Sequence, residues 1–228
     1  MSSLVSSVDA ARAGRADAAK TAGTEPAAGR IGPNAVTRVA QVLPALVGEG
    51  ATAALFETAG LAHHLRHLPQ EMVQEAEVRR LHATLREQLG AVMAGEVGRA
   101  AGEATADYLL AHRIPRPLQA VLRRVPAWLA ARVLLSAIAR HAWTFVGSGR
   151  FSATRPGPLG DGVDLAIRAN PLCAGQRTDV PACHFYAAVF ERLFRALVHP
   201  RSRVREVACE ACGADACRFE IRWRAAGD

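Results

Sequence analysis

The sequence predicts an α+β fold, with helices filling the first half and an antiparallel sheet plus one long helix filling the second. Between Pro33 and Arg140 apolar residues recur at helical spacing in segment after segment. Beyond His141 the pattern moves toward period two, in a run at 141–146, around 163–167 and again over 202–223. One helical stripe, Tyr186, Val189, Phe190, Leu193, Phe194 and Leu197, interrupts that second half.

Residues 1–30 are rich in Ala, Ser, Gly and Thr and hold few large apolar side chains. Such a segment cannot bury enough surface to offset its ordering entropy, so it is expected to be a disordered tail ahead of one domain over 31–228. Helices are expected from Pro33 to about Val47 (Val36, Val39, Ala40, Leu43) and over Thr52–Thr58. His63, His64 and His67 near Pro69 suggest a loop or helix end, without a cysteine or carboxylate beside them in sequence. Two further helices are expected, Glu75–Leu89 and Met93–Ala111. In the second, Val97, Ala101, Ala104 and Tyr108 form a narrow stripe suited to close helix packing or a dimer seam. Pro115 and Pro117 break the chain before helical segments over Leu118–Arg124 and from Pro126 to Arg140, with Trp128, Leu129, Val133 and Leu135 as core candidates. His141 to Val146, followed by Gly147-Ser148-Gly149, is expected to be a strand ending in a turn, and Val163, Leu165 and Ile167 mark a second one. Cys217, Phe219, Ile221 and Trp223 alternate with polar residues as a half-buried strand should, and Gly213 sits where a hairpin loop to the 202–209 run needs it.

Composition bounds the function. The 228 residues can bury a substantial core. The net charge of +7 is almost wholly arginine, with Lys20 the only lysine. An excess of alanine and arginine reflects base composition of the gene, so the bulk charge says little about partners. Basic residues are not interleaved with aromatics as a nucleic-acid binder requires, and the cluster Arg201, Arg203 and Arg205 reads as the solvated face of a strand. An anionic membrane surface stays open as a partner. A transmembrane segment and a secretory signal are not expected, and five cysteines at metal-like spacing suit a reducing cytoplasm. A dinucleotide fingerprint and a phosphate loop are also missing.

All five cysteines lie in the last quarter, and Cys183, Glu206, Cys209 and Cys217 follow C-x22-E-x2-C-x7-C. Three thiolates and a carboxylate make a four-ligand set for zinc, closed to substrate and therefore structural. The hairpin brings Cys209 opposite Cys217, and Cys183 falls one turn before Tyr186 on the apolar stripe. Glu206 is an odd number of residues from Cys209, so it faces the other side unless a bulge re-aims it. Cys212 competes for a place in the shell through C-x2-C with Cys209. The alternative is a set of reduced core cysteines without metal.

This C-terminal pattern, with the run His141-Ala142-Trp143-Thr144-Phe145 before it, resembles the 4-vinyl reductase domain family over roughly residues 33–224. The resemblance implies a ligand-binding fold similar to that of TRAPP-type trafficking subunits and, by match to aromatic-sensing members, zinc on Cys183, Glu206, Cys209 and Cys217. It also implies a place in bacteriochlorophyll biosynthesis, where a divinyl chlorin precursor has its vinyl group reduced to ethyl. Vinyl reduction needs a hydride or electron source, and zinc has no redox chemistry of its own. The reading preferred on sequence is therefore a tetrapyrrole-binding protein that carries or presents the pigment precursor to other pigment-biosynthesis enzymes. The alternatives are the reductase itself, using NADPH or another external donor, and a pigment-responsive sensor module. The resemblance further implies a homodimer, and the expected location is the cytoplasm, peripheral to the photosynthetic membrane. His141, Trp143 and Phe145 are the candidate pigment-binding residues: an imidazole for magnesium and aromatic faces for the macrocycle. The simpler alternative makes the aromatics core and His141 a helix cap.

Overall fold

The computed structural model describes residues 29–223. The tail predicted over 1–30 lies outside them except for its end: Gly29 accepts a hydrogen bond from the Glu75 amide, and Arg30–Ile31 form strand β1. The helices follow. They are α1 (Asn34–Val47), α2 (Glu49–Thr58) and the short α3 (Ala62–Arg66), then β2 (Val73–Gln74), which pairs with β1, and the long α4 (Glu75–His112). Next come α5 (Arg116–Leu122), α6 (Ala127–Arg140) and the single turn α7 (Trp143–Val146). Strands β3 (Arg150–Ala153) and β4 (Gly162–Arg168) precede α8 (His184–Leu197), β5 (Arg203–Ala208) and β6 (Cys217–Arg222). The last four strands form an antiparallel sheet in the order β3-β4-β6-β5. This is the α+β order that the sequence predicts.

Two expectations change. The 141–146 run is not a strand but the turn α7, continuing from α6, and the strand comes later, at Arg150–Ala153. Six residues of mixed character cannot distinguish the two periods. Here the Thr144 hydroxyl caps back onto the His141 carbonyl at 2.7 Å, and Gly147, at φ 55°, ends the turn. On α6 the buried side chains are Ala130, Ala131, Leu134 and Leu135, whereas Val133 is 40% exposed.

α8 lies on the sheet and against α4. Its stripe is buried throughout, with Phe190 set edge-on to Phe219 at 5.5 Å and Phe194 stacked on Trp223 at 6.4 Å. α4 is two helical arms joined at Gly90, whose φ of 75° and ψ of 168° leave the helix. Of the stripe in the second arm, Val97 and Ala101 are fully buried, and two glycines beside them meet α8: a Cβ at Gly98 would stand 3.4 Å from the Phe185 amide nitrogen. At Gly102 it would run into the Phe185 carbonyl and come within 2.8 Å of the Ala188 methyl. Glycine lets the two backbones approach where no other side chain fits.

Candidate metal centre

Four segments deliver sulfur to one point. Cys173 lies in the turn after β4, and Cys183 is the N-cap residue of α8. Cys209 follows β5, and Cys217 opens β6. The alternation of β6 turns Cys217 inward with Phe219 and Ile221, all three fully buried. Gly213, at φ 91°, closes the hairpin that sets Cys209 and Cys217 4.0 Å apart. The other Sγ–Sγ distances are 3.0 Å (Cys173–Cys183), 3.7 Å (Cys173–Cys209), 3.7 Å (Cys173–Cys217), 3.9 Å (Cys183–Cys209) and 3.4 Å (Cys183–Cys217). All five cysteines are free thiols, and Cys212 alone is exposed, against the Thr178 hydroxyl at 3.6 Å.

The six edges describe a tetrahedron. A metal with four bonds of about 2.3 Å to sulfur needs edges of about 3.8 Å, so these thiols surround the volume of one ion. An iron–sulfur cluster places its thiolates on separate irons and would spread them much farther. The cage thus fits a single thiophilic ion with all four positions taken by protein.

Surrounding groups hold the sulfurs in place. The fully buried Asn170 donates through Nδ2 to Cys183 and Cys217, each at 3.2 Å, and accepts from the Leu172 amide through Oδ1 at 3.0 Å. Glu210 accepts from the amides of Ala169 and Asn170, both at 2.7 Å, and its own amide points at Cys217 Sγ at 3.4 Å. Ala169 pays for this tight turn with a positive φ of 52°. Hydrogen bonds within the cluster push the Cys183 thiol well above its usual range and pull those of Cys209 and Cys217 down. Four such groups cannot ionise together without a cation among them.

Glu206 is beside the cage, at the irregularity between Glu206 and Ala208 where Val207 is inserted without a partner on β6. The bulge turns the carboxylate toward α8, where Oε2 accepts from the Cys183 amide at 2.8 Å. Oε1 is buried without a partner among the described residues. Burial, with the Cys209 thiolate next, pushes the carboxyl up to about 9. Of the four predicted ligands the structure brings Cys183, Cys209 and Cys217 together, adds Cys173, and leaves Glu206 as a neighbour. Cys173 was missed because its loop has no periodicity. Its one signal is that it stands ten residues before Cys183, a second short pair like Cys209 and Cys217.

Of the predicted pigment residues, His141 and Trp143 face outward and Phe145 inward. His141 is exposed, with Nδ1 2.9 Å from the Ala137 carbonyl in the helix-cap position. Trp143 is 58% exposed, while Phe145 packs edge-on against Phe151, Tyr186 and Phe190. The first histidine group gains a carboxylate that sequence order hides, since His64 Nε2 is 3.0 Å from Glu77 Oε2.

A cleft opens elsewhere, between α4 and the start of α8. His82, Arg86, Gly95, Gly98, His184 and Phe185 line its inner end, with room of about 30 Å³, enough for one water. At the Gly90 joint it widens into an open recess of about 390 Å³ bordered by Arg86, Ala91, Arg177 and Thr178. Burial, with Arg86 adding to it, lowers His82 to about 3, and burial together with Arg99 lowers His184, so both imidazoles are neutral near pH 7.

Comparison with known proteins agrees with this architecture. Residues 163–223 match the model of the 4-vinyl reductase domain. The chain is 47% identical over 193 residues to the bacteriochlorophyll synthase 23 kDa chain of Cereibacter sphaeroides, covering 84% of this chain and 90% of that protein. It is 39% identical over 192 residues to the Rhodobacter capsulatus protein of the same name, covering 84% and 86%. Among solved structures, the fold is similar to an unliganded Fe(II) H-NOX protein from K. algicida, with a TM-score of 0.58 at 10% identity, covering 86% of this chain and 98% of that one. An H-NOX protein from T. tengcongensis gives 0.52 at 14% identity, covering 82% and 94%. The chain belongs to the family of the bacteriochlorophyll synthase 23 kDa chains, with a 4-vinyl reductase domain as its C-terminal part.

Proposed function

We propose that this protein binds a tetrapyrrole of bacteriochlorophyll biosynthesis, a divinyl protochlorophyllide or chlorophyllide, and presents it for 8-vinyl reduction by a partner enzyme. The observation that carries the reading is the closed cage of four sulfurs. Zinc is the ion that suits it, and Cys173, Cys183, Cys209 and Cys217 would hold it. Such a centre supplies folding energy and no open position for substrate or electrons. The names of the relatives supply the pathway.

The pigment is placed in the recess at the Gly90 joint. The inner cleft is far too small for a macrocycle, so a pigment reaching His184 would require the two arms of α4 to part. His184, on the inner cleft that adjoins the recess, would offer a neutral imidazole to a chlorin magnesium, and Arg86 and Arg177, which border the recess together with Glu87, would meet a propionate. His141, Trp143 and Phe145 do not line this recess. His184→Ala then weakens pigment binding about tenfold or more, while His141→Ala leaves it unchanged. The reverse result would return the site to the α7 face.

The purified protein is incubated with divinyl protochlorophyllide, with and without NADPH, and the extracted pigment is weighed. Unchanged mass with a shifted absorption band is the expected result. A gain of two hydrogens with NADPH alone would make the protein the reductase. A pigment that leaves both mass and spectrum unaltered would remove the tetrapyrrole assignment.

A further inference from the structure

Charge is unevenly distributed along this chain. Between Asp107 and Asp161, residues 108–160 contain eight arginines and neither aspartate nor glutamate. That stretch carries a formal +8, more than the +7 of the whole chain. The arginines are Arg113, Arg116, Arg123, Arg124, Arg132, Arg140, Arg150 and Arg155, and among the described residues none is ion-paired. On β4, β5, β6 and α8 the opposite holds: Arg168, Arg192, Arg195, Arg205, Arg218 and Arg222 each meet a carboxylate.

Apolar side chains stand out to solvent in the same stretch. Leu118 is 38% exposed, Val121 55%, Val133 40%, Trp143 58% and Leu159 97%. On α6 they and the charges alternate along one exposed side, Arg132, Val133, Ser136, Ala137 and Arg140, which runs on through His141 to Trp143. The opposite side, Ala130, Ala131, Leu134 and Leu135, is buried. α6 is thus amphipathic toward the core and, on its outer side, cationic with an aromatic at its end.

We propose that the exposed side of α6 and α7 docks on an anionic lipid bilayer. Arginines outside ion pairs are attracted to acidic headgroups, each by about 1 kcal/mol near the surface. Exposed Trp143 and Val133 then enter the headgroup boundary, which an arginine face alone would not do. Nucleic acid would use the charge but gives the aliphatic side chains no place. Docking needs no membrane-spanning helix, and among the described residues no helix is long and apolar enough to cross a membrane.

The test is co-sedimentation of the full-length protein with vesicles, without pigment, so that it is independent of the tetrapyrrole assignment. Vesicles of phosphatidylcholine alone are compared with vesicles containing phosphatidylglycerol, at low and high salt. The protein binds only the anionic vesicles, and added salt releases it. Arg132→Glu/Arg140→Glu lowers the affinity more than about tenfold with unchanged melting temperature and metal content. Trp143→Ser weakens it several-fold. Binding absent from both vesicle types, or equal in both variants and wild type, overturns the proposal. So does a preference for duplex DNA over anionic vesicles, or a solution dimer in which Trp143 is shielded from a soluble quencher.

Discussion

At Cys173 the chain offers a fourth sulfur where the spacing pattern offered the Glu206 carboxylate, and substitution separates the two. Cys173→Ser is expected to lower zinc affinity by at least about tenfold, measured by competition with a chromogenic chelator. Glu206→Gln and Cys212→Ser are expected to retain one zinc per chain. Retention in Cys173→Ser with loss in Glu206→Gln would restore the carboxylate to the shell. His82 sets a second expectation. Its ring is buried and neutral down to about pH 3, with Nε2 3.3 Å from the Ala35 carbonyl, whereas the unfolded chain protonates it near 6.5. Between these values the unfolded state binds the extra proton. Stability is therefore complete above pH 6.5 and falls as pH drops toward 3, by up to about 1.4 kcal/mol per unit. His184, lowered in the same direction, adds to the slope. Urea unfolding at pH 7.5 and pH 5 checks this: His82→Phe should lose less stability between the two than the wild type does.

At the scale of elements, the contact of α4 with α8 depends on the absence of side chains. Gly102→Ala forces a methyl against the Phe185 carbonyl and Ala188, and should cost about 1–3 kcal/mol, read as a fall of several degrees in Tm. An unchanged Tm would mean the helices separate freely there. Most elements were legible because their periodicity is long: α1, both arms of α4, α6, α8 and the β5–β6 hairpin follow the patterns that predict them. Even the break at Gly90 falls between the two predicted helices. The 141–146 run was not legible, since a six-residue segment fits either period and its fate is set by the helix before it. Glu206 could be placed only conditionally, because a bulge has no signature in the residues that flank it. The basic surface was hidden in another way. A whole-chain charge averages an acid-free stretch with a nearly balanced remainder.

For the whole molecule, the cage joins segments that are distant in sequence and meet in the core. Its sulfurs come from the β4–α8 connection (Cys173, Cys183) and from the two ends of the β5–β6 connection (Cys209, Cys217), so one ion would fasten these two connections to each other. Removing metal with a chelator should lower Tm by more than about 10 °C, and calorimetry before and after zinc is restored measures it. An identical Tm for metal-free protein would leave the thiols as plain core.

The arrangement of the sulfurs along the chain also bears on how the fold is reached. They come as two short pairs, Cys173 with Cys183 ten residues on, and Cys209 with Cys217 eight residues on. Cys209 follows Cys183 by 26 positions, a span that contains α8 and β5. Closing either short pair costs little chain entropy, while joining the pairs costs somewhat more and forms the only long loop. A cation caught by one pair in the unfolded chain would therefore wait for the other. The slow event becomes the docking of α8 and its flanking strand as one block, with the metal acting as a guide to order of assembly as well as a fastener of the finished fold.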